Sequence, residues 1–597
     1  MARWLVFAAF GLLVAACGDD ASNPTDGGVR PGDTGIDSDG GTVADAGRVD
    51  AGRDAGPPPP DIPCAEGTIT ALCNCGGEGH ATGYCCSDLW FDPYYEVLTG
   101  GCPMADGFRH VDPDHATASD GNPGTEEMPW ATIEHGVATV TAGQVLVVRA
   151  GVYSVAGTGS RYTPALNPGH SGTAGSPVIL KADGEVVVEP AVVHSGTARG
   201  GSPETIVLAD TASSMDQAYV GHYVRVVGGT GAGQSRPVLR DFDALARTSY
   251  EGASRTAWVN LDVDGHGNWE TVPDATSEYE LIRTGPLVGT LERQHVVWDG
   301  FHVVERDSYH PDTGPVVLWA SDHVVLMGSE VEAMTGLLFD NHNAVRINGS
   351  TNVVVRNNRL HGVQPIELGR NNPQNHAAIM IYTSENALIE HNEIYDSYSC
   401  VFPKGGDRGH EIRFNELHDC AKAFRISYHE NVRIWGNLVR DSGIAFQGSE
   451  NNTGVRIFNN TVHSGNSGLY NWFAIDGVDL FNNVFSQVTY PVLCEGAAGA
   501  FTERFNAFHA MDDLRIDNRN VGGLSAWQAA GYGVGSIEIG APFVDAAGGD
   551  YHLVAGSPAA SAGRDIEDLD EDGDRDEAIT MGAYVMEGQI VGLLPER

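Results

Sequence analysis

A repeat of 22–23 residues constrains this chain more than any other feature. From about His295 a pattern recurs: a short alternating apolar strand, Asn or Gly, a second short strand, and a polar turn. Copies include Val353-Val354-Val355-Arg356-Asn357-Asn358, Ala387-Leu388-Ile389-Glu390-His391-Asn392 and Ile412-Arg413-Phe414-Asn415. Val432–Asn437, Val455–Asn460 and Val478–Asn483 follow. Aligned on the last Asn, the copies fall at 358, 392, 415, 437, 460 and 483, with gaps of 34, 23, 22, 23 and 23. Weaker copies place Gly300 and Ser329 at the same point. Strands this short, repeated at this period, predict one solenoid coil per repeat, with about three strands each. Stacked coils pair in parallel, so only the terminal strands keep open edges. Asn at the bend suits a left-handed backbone, and its amide can bond the next coil. A leucine-rich repeat has the same period, but its consensus leucines are absent.

The repeat resembles the right-handed parallel β-helix of pectate-lyase-like proteins, and the handedness is implied by that resemblance alone. Ala131-Thr132-Ile133-Glu134-His135-Gly136-Val137 fits a short amphipathic helix ahead of a first coil at 145–153,. It resembles the N-terminal cap of bacterial β-helix proteins. Asp550–Leu553, Gly556–Ala559 and Gly582–Tyr584 resemble a closing segment. Between them, 200–285 lacks the period. Its Gly228-Gly229-Thr230-Gly231-Ala232-Gly233-Gln234 run is not a phosphate loop, since no Lys-Ser/Thr follows,. The expected fold is all-β: a capped parallel β-helix over 105–199 and 286–590, with an inserted small β domain at 200–285.

The amino terminus reads as an export signal. An apolar run from Trp4 to Ala16 follows Arg3 and ends in Val14-Ala15-Ala16-Cys17,. This resembles the lipobox of bacterial lipoproteins, which implies cleavage after residue 16 and acylation of Cys17, anchoring the protein to the cell envelope. The alternative is an ordinary signal peptide with a chance cysteine. Residues 18–63 carry ten Asp, no aromatic residue and four consecutive prolines, the composition of an extended spacer,. Cys64, Cys73, Cys75, Cys85, Cys86 and Cys102 define a module at 64–104. In an exported chain they read as three disulfides, with a zinc site as the rival.

Charge narrows the partners. With 79 Asp+Glu against 35 Lys+Arg the net charge is −44, which argues against nucleic acid as a partner. A monomer is expected. Against that background 404–440 carries seven Lys and Arg and five Asp and Glu, with His410, His418 and His429 besides. A local positive field draws an anionic ligand, and Arg408, His410 and His429 are its expected contacts. Lys404 and Arg425 lie 21 residues apart, about one coil. Here Phe402-Pro403-Lys404-Gly405-Gly406 and Phe424-Arg425 resemble the alginate lyase and chondroitinase B family, which sets a lysine base on one coil and an arginine on the next. The resemblance implies a lyase, or an epimerase, acting on uronic-acid polysaccharide. A base would take the proton beside the uronate carboxylate and a cation would hold the developing charge. The family's calcium-binding glutamates are replaced by Ser397 and Ser399, so no cofactor is required at that site. A non-catalytic glycan-binding or structural protein is the alternative.

Cys400 and Cys420 fall at matching points on these coils and are expected either to stack in the core or to form a disulfide that pins the two coils together,. Asp568, Asp570, Asp572 and Asp574 alternate like an EF-hand loop and are candidate ligands for a structural Ca²⁺, although position 12 is Ile579; a solvated acidic turn is the alternative,.

Overall fold

The computed structural model describes residues 84–86, 89–91, 94–99, 107–238, 250–259, 268–305, 313–333, 342–364, 375–406, 408–448, 452–471, 477–494, 501–516, 519–569, 574–575, 577–586 and 588–594. The signal segment with Cys17, the 18–63 spacer, Cys64, Cys73, Cys75, Cys102, Asp570 and Asp572 lie outside them, as do the side chains of Cys85 and Cys86.

Each repeat makes one coil, and successive coils pair in parallel. Three faces result. Face A comprises 288–291, 316–319, 343–348, 377–382, 399–404, 422–426, 444–448, 467–471, 490–494 and 514–516. Face B begins at 294–299 and continues through 322–327, 354–356, 388–390, 411–413, 433–435, 455–458, 478–481 and 501–504. Face C runs from 302–304 through 330–332, 359–361, 393–395, 416–418, 438–440, 461–463 and 484–486 to 507–509. Inward columns such as Val316, Val345, Ile379, Val401, Phe424, Phe446, Leu469 and Val492 fill one continuous apolar core.

The aligned asparagines form a buried ladder at the turn between faces B and C. The backbone N–H of Asn415 donates to Asn437 Oδ1 at 3.0 Å, and that of Asn437 donates to Asn460 Oδ1 at 3.1 Å. The ladder continues through Asn483 to Asn506 and Ser536. The left-handed residue is the one before each ladder Asn: Asn357, His391, Phe414, Gly436, Asn459, Asn482 and Phe505 all have positive φ. The expected left-handed Asn is therefore corrected by one position. The buried Asn aims its amide along the stack, whereas its predecessor makes the bend. In the earlier coils Ser329 takes the ladder position, and its partner is Phe301 rather than Gly300.

The amino-terminal end is closed by the helix Ile133–Thr139. Thr132 is its N-cap, with Oγ1 accepting from His135 N, and it buries Ile133, Gly136 and Val137,. The other end carries the helix Leu524–Ala529, whose fully buried Trp527 donates to Glu503. The inserted domain has its own core and two antiparallel sheets. Its first strand, Val192–Thr197, precedes the expected boundary at 200 and pairs with Glu278–Arg283.

Face B carries a buried Glu390 between Arg356 and Arg413 of the neighbouring coils. Burial alone would raise its carboxyl, but the two guanidiniums override this and hold it at about 2. An acid depressed from 4.5 stabilises the fold above that value and loses the contribution as pH falls toward 2,. The loss is on the order of 3 kcal/mol. Acid titration of thermal stability is expected to show a steeper fall between pH 4.5 and 2 for the native chain than for Glu390→Gln.

Candidate functional site

The outward side chains separate face A from the other two faces. On face B the arginines meet carboxylates of adjoining coils, as in Arg433–Glu411 and Arg504–Asp479. On face C, Arg359 meets Glu393 and Arg440 meets Glu416. The strand segments of face A contain no Asp or Glu from 288 to 516, yet hold Arg346, Lys404, Lys422, Arg425 and Arg515. In a chain of net charge −44, the described strands of this face carry a local positive field.

Lys404 and Arg425 come together there. The ladder pairing Val401 with Phe424 sets Phe402 beside Arg425 on the next coil. Arg425 Cζ lies 4.4 Å from the centre of the Phe402 ring, and Lys404 Nζ lies 5.9 Å from the same centre. Phe402 is fully buried and packs with Met380 and Ala377 on the outside of the sheet, giving both cations an apolar floor. Lys404 Nζ donates to Asn375 Oδ1 at 2.8 Å. The Gly405 that follows has φ +98°, and a Cβ there would meet the Tyr382 ring at 2.8 Å. Both facts explain Lys-Gly at this turn where the resembled family has Lys-Ser.

Two further groups complete the cluster, and sequence reasoning did not assign them to it. Lys422 begins the same strand as Arg425, with Nζ 4.9 Å from the centre of the Tyr398 ring. Burial, reinforced by the Arg425 charge, brings the Lys422 amine down to about 7,. The Tyr398 hydroxyl is pushed up by burial, against the opposing pull of Arg425, and stays protonated at neutrality. The chain has three lysines. Lys181 is buried in an ion pair with Asp299 on face B, and the other two stand in this cluster. Their scarcity was a usable signal.

The expected ligand contacts divide. Arg408 is exposed in the turn leaving face A, where it pairs with Glu385 at 2.7 Å. His410 and His429 are corrected: both are buried, with rings 5.5 Å apart, and His410 Nδ1 accepts from Ala387 N at 3.0 Å. They fill the corner between faces A and B and do not reach the outer surface. Cys400 and Cys420 form the expected disulfide, with Cα atoms 6.0 Å apart, tying the strand of Lys404 to the turn that leads into Lys422. Among the described residues no group of three or more His, Cys, Asp or Glu is placed to hold a metal ion. Asp568 and Asp574 are the described members of the acidic run.

Residues 316–485 match the family model described as a right handed beta helix region. The solenoid is a right-handed parallel β-helix. It is similar to the solved structure of pectate lyase Pel9A, with 13% identity and a TM-score of 0.39, covering 80% of this chain and 96% of that one. The complex of XylC with xylose gives 11% identity and 0.38, covering 68% and 86%. PfbA, a surface adhesin of Streptococcus pneumoniae, gives 11% and 0.30, covering 69% and 88%. No curated protein matches the chain.

Proposed function

We propose that this protein is a polysaccharide lyase of the cell surface, anchored through Cys17, that cleaves uronic-acid-containing glycans by β-elimination on face A. The observation that carries the reading is the acid-free set of described strands on that face, with Lys404 and Arg425 over the Phe402 ring and Lys422 over the Tyr398 ring beside them. Arg425 and Lys404 bind the uronate carboxylate and stabilise the charge that develops on it. Lys422, available as a neutral amine near pH 7, takes the proton from the carbon beside that carboxylate. The electron pair left behind forms the carbon–carbon double bond as the glycosidic carbon–oxygen bond breaks. Tyr398 gives its proton to the departing oxygen, and the Lys422 ammonium returns one to the phenolate through solvent. The base is thus assigned to Lys422 rather than Lys404, because Lys404 is engaged by Asn375.

The test is incubation of the chain with alginate, polygalacturonate and glycosaminoglycans, following unsaturated ends by near-ultraviolet absorbance. Product from at least one acidic polymer is expected. Binding without product would favour a glycan-binding protein, and neither binding nor product would refute the reading.

A further inference from the structure

The cluster sits toward the middle of face A, and the rows before it are built differently from the rows after it. Trp319, Asn348, Tyr382 and Lys404 follow one another in a single column, one per coil. Arg346 Cζ stands 5.8 Å from the ring centres of both Trp319 and Tyr382, bridging the coils between them. Its Nη2 donates to Asn348 Oδ1 at 3.3 Å, which fixes the guanidinium in that position. Beyond Trp319, Tyr162 meets it edge-on at 4.2 Å and carries Arg161 at 4.6 Å from its own ring. From Arg161 to Lys404 the order is a cation, two rings, a cation, a ring and a cation. With coils about 4.8 Å apart, Trp319 to Arg425 spans about 19 Å along the axis. After Arg425 the adjoining positions are Gln447, Tyr470 and Leu493, and a cation returns only on the coil after Leu493, at Arg515, whose Cζ stands 4.0 Å from the centre of the Tyr490 ring.

We infer that Arg161, Tyr162, Trp319, Arg346 and Tyr382 form a binding track for an acidic polysaccharide chain, which lies along the axis and extends from the reaction centre toward the amino-terminal coils. Aromatic rings offer flat apolar faces to sugar rings, and the guanidiniums between them offer paired donors to carboxylates or sulfates. A neutral polymer would leave these cations without a partner from the ligand, whereas a polyanion replaces water around each of them. Cations recurring among the rings suit a ligand that carries several charges along its length. The inference rests on the proposed glycan-directed reading and adds to it the direction and extent of the bound chain.

The test uses the full chain and defined oligouronides, short and long, with a neutral glucan as comparison, measuring affinity by calorimetry and cleavage by absorbance. Native protein is expected to bind the long acidic oligomer at least about ten-fold more tightly than the short one, and the glucan not measurably. Trp319→Ala and Arg346→Gln should each weaken long-oligomer binding about ten-fold and leave short-oligomer binding unchanged. Trp319→Phe, which keeps a ring and guards against a folding defect, should retain most of the affinity. If long and short oligomers bind alike, or the variants bind the long oligomer like the native chain, the track is overturned even where cleavage is seen. If no cleavage occurs but the length dependence is lost in the variants, the track stands and the lyase reading fails. Failure to bind any acidic oligomer overturns both.

Discussion

Lys422→Ala is expected to reduce the rate of product formation about 10³-fold or more, within the range that a positioned general base contributes, while leaving affinity for an acidic oligosaccharide nearly unchanged. The reason is placement. Lys422 lies where burial and the Arg425 charge both disfavour its ammonium form, so its amine is substantially neutral near pH 7,. An exposed lysine would be almost wholly protonated there. The native rate should therefore rise with pH through about 7, as the amine loses its proton. Lys422→Arg should be as inactive as the alanine variant, because a guanidinium does not deprotonate in this range. Arg425→Gln has two effects: it removes a carboxylate partner and, by relieving the repulsion, moves the rising limb to higher pH. Lys404→Ala should instead raise KM more than it lowers kcat. Unchanged kcat in Lys422→Ala would remove this residue from the reaction.

Asn437→Leu is expected to destabilise the helix by about 4 kcal/mol or more. Asn437 is fully buried, and its Oδ1 accepts from both the backbone N–H and the side-chain amide of Asn415. Its own Nδ2 donates to Ile412 O, Trp435 O and Asn460 Oδ1 at 2.9–3.0 Å. Leucine keeps the volume but strands several of these groups in a dry interior, each costing about 1–3 kcal/mol. Thermal unfolding should show a large fall in midpoint, with the fastest hydrogen exchange at the amides of Asn415 and Asn437. A change under about 1 kcal/mol would contradict the ladder's role, since a single exposed hydrogen bond is worth that much.

What could be read from the sequence follows from what the period encodes. The recurring Asn marked one turn of every coil, because a buried amide in that column must bond both its own turn and the next. The left-handed position was misplaced because its occupants, from Gly436 to Phe414, share a backbone shape and not a residue type. Lys404 and Arg425 were legible as neighbours from a spacing close to one coil. Lys422 was not, because its place beside Tyr398 depends on the corner between faces C and A, where the alternation of inward and outward residues slips: Cys400 and Val401, and likewise Ala423 and Phe424, are consecutive and both face the core. His410 and His429 lie at the other corner, between faces A and B, where the turn leaving face A buries both rings. The absence of acids from the described strands of face A is written in the sequence, but it emerges only once each strand is assigned to its face.

The most direct measurement labels the lysine side-chain nitrogens and follows them by nuclear magnetic resonance across pH. With three lysines in the chain, three resonances report. One should titrate with a midpoint near 7, vanish in Lys422→Gln, shift upward in Arg425→Gln and move when an acidic oligosaccharide is added. Lysine resonances that all stay protonated well above neutrality and ignore the oligosaccharide would contradict the assignment of face A as the reaction surface.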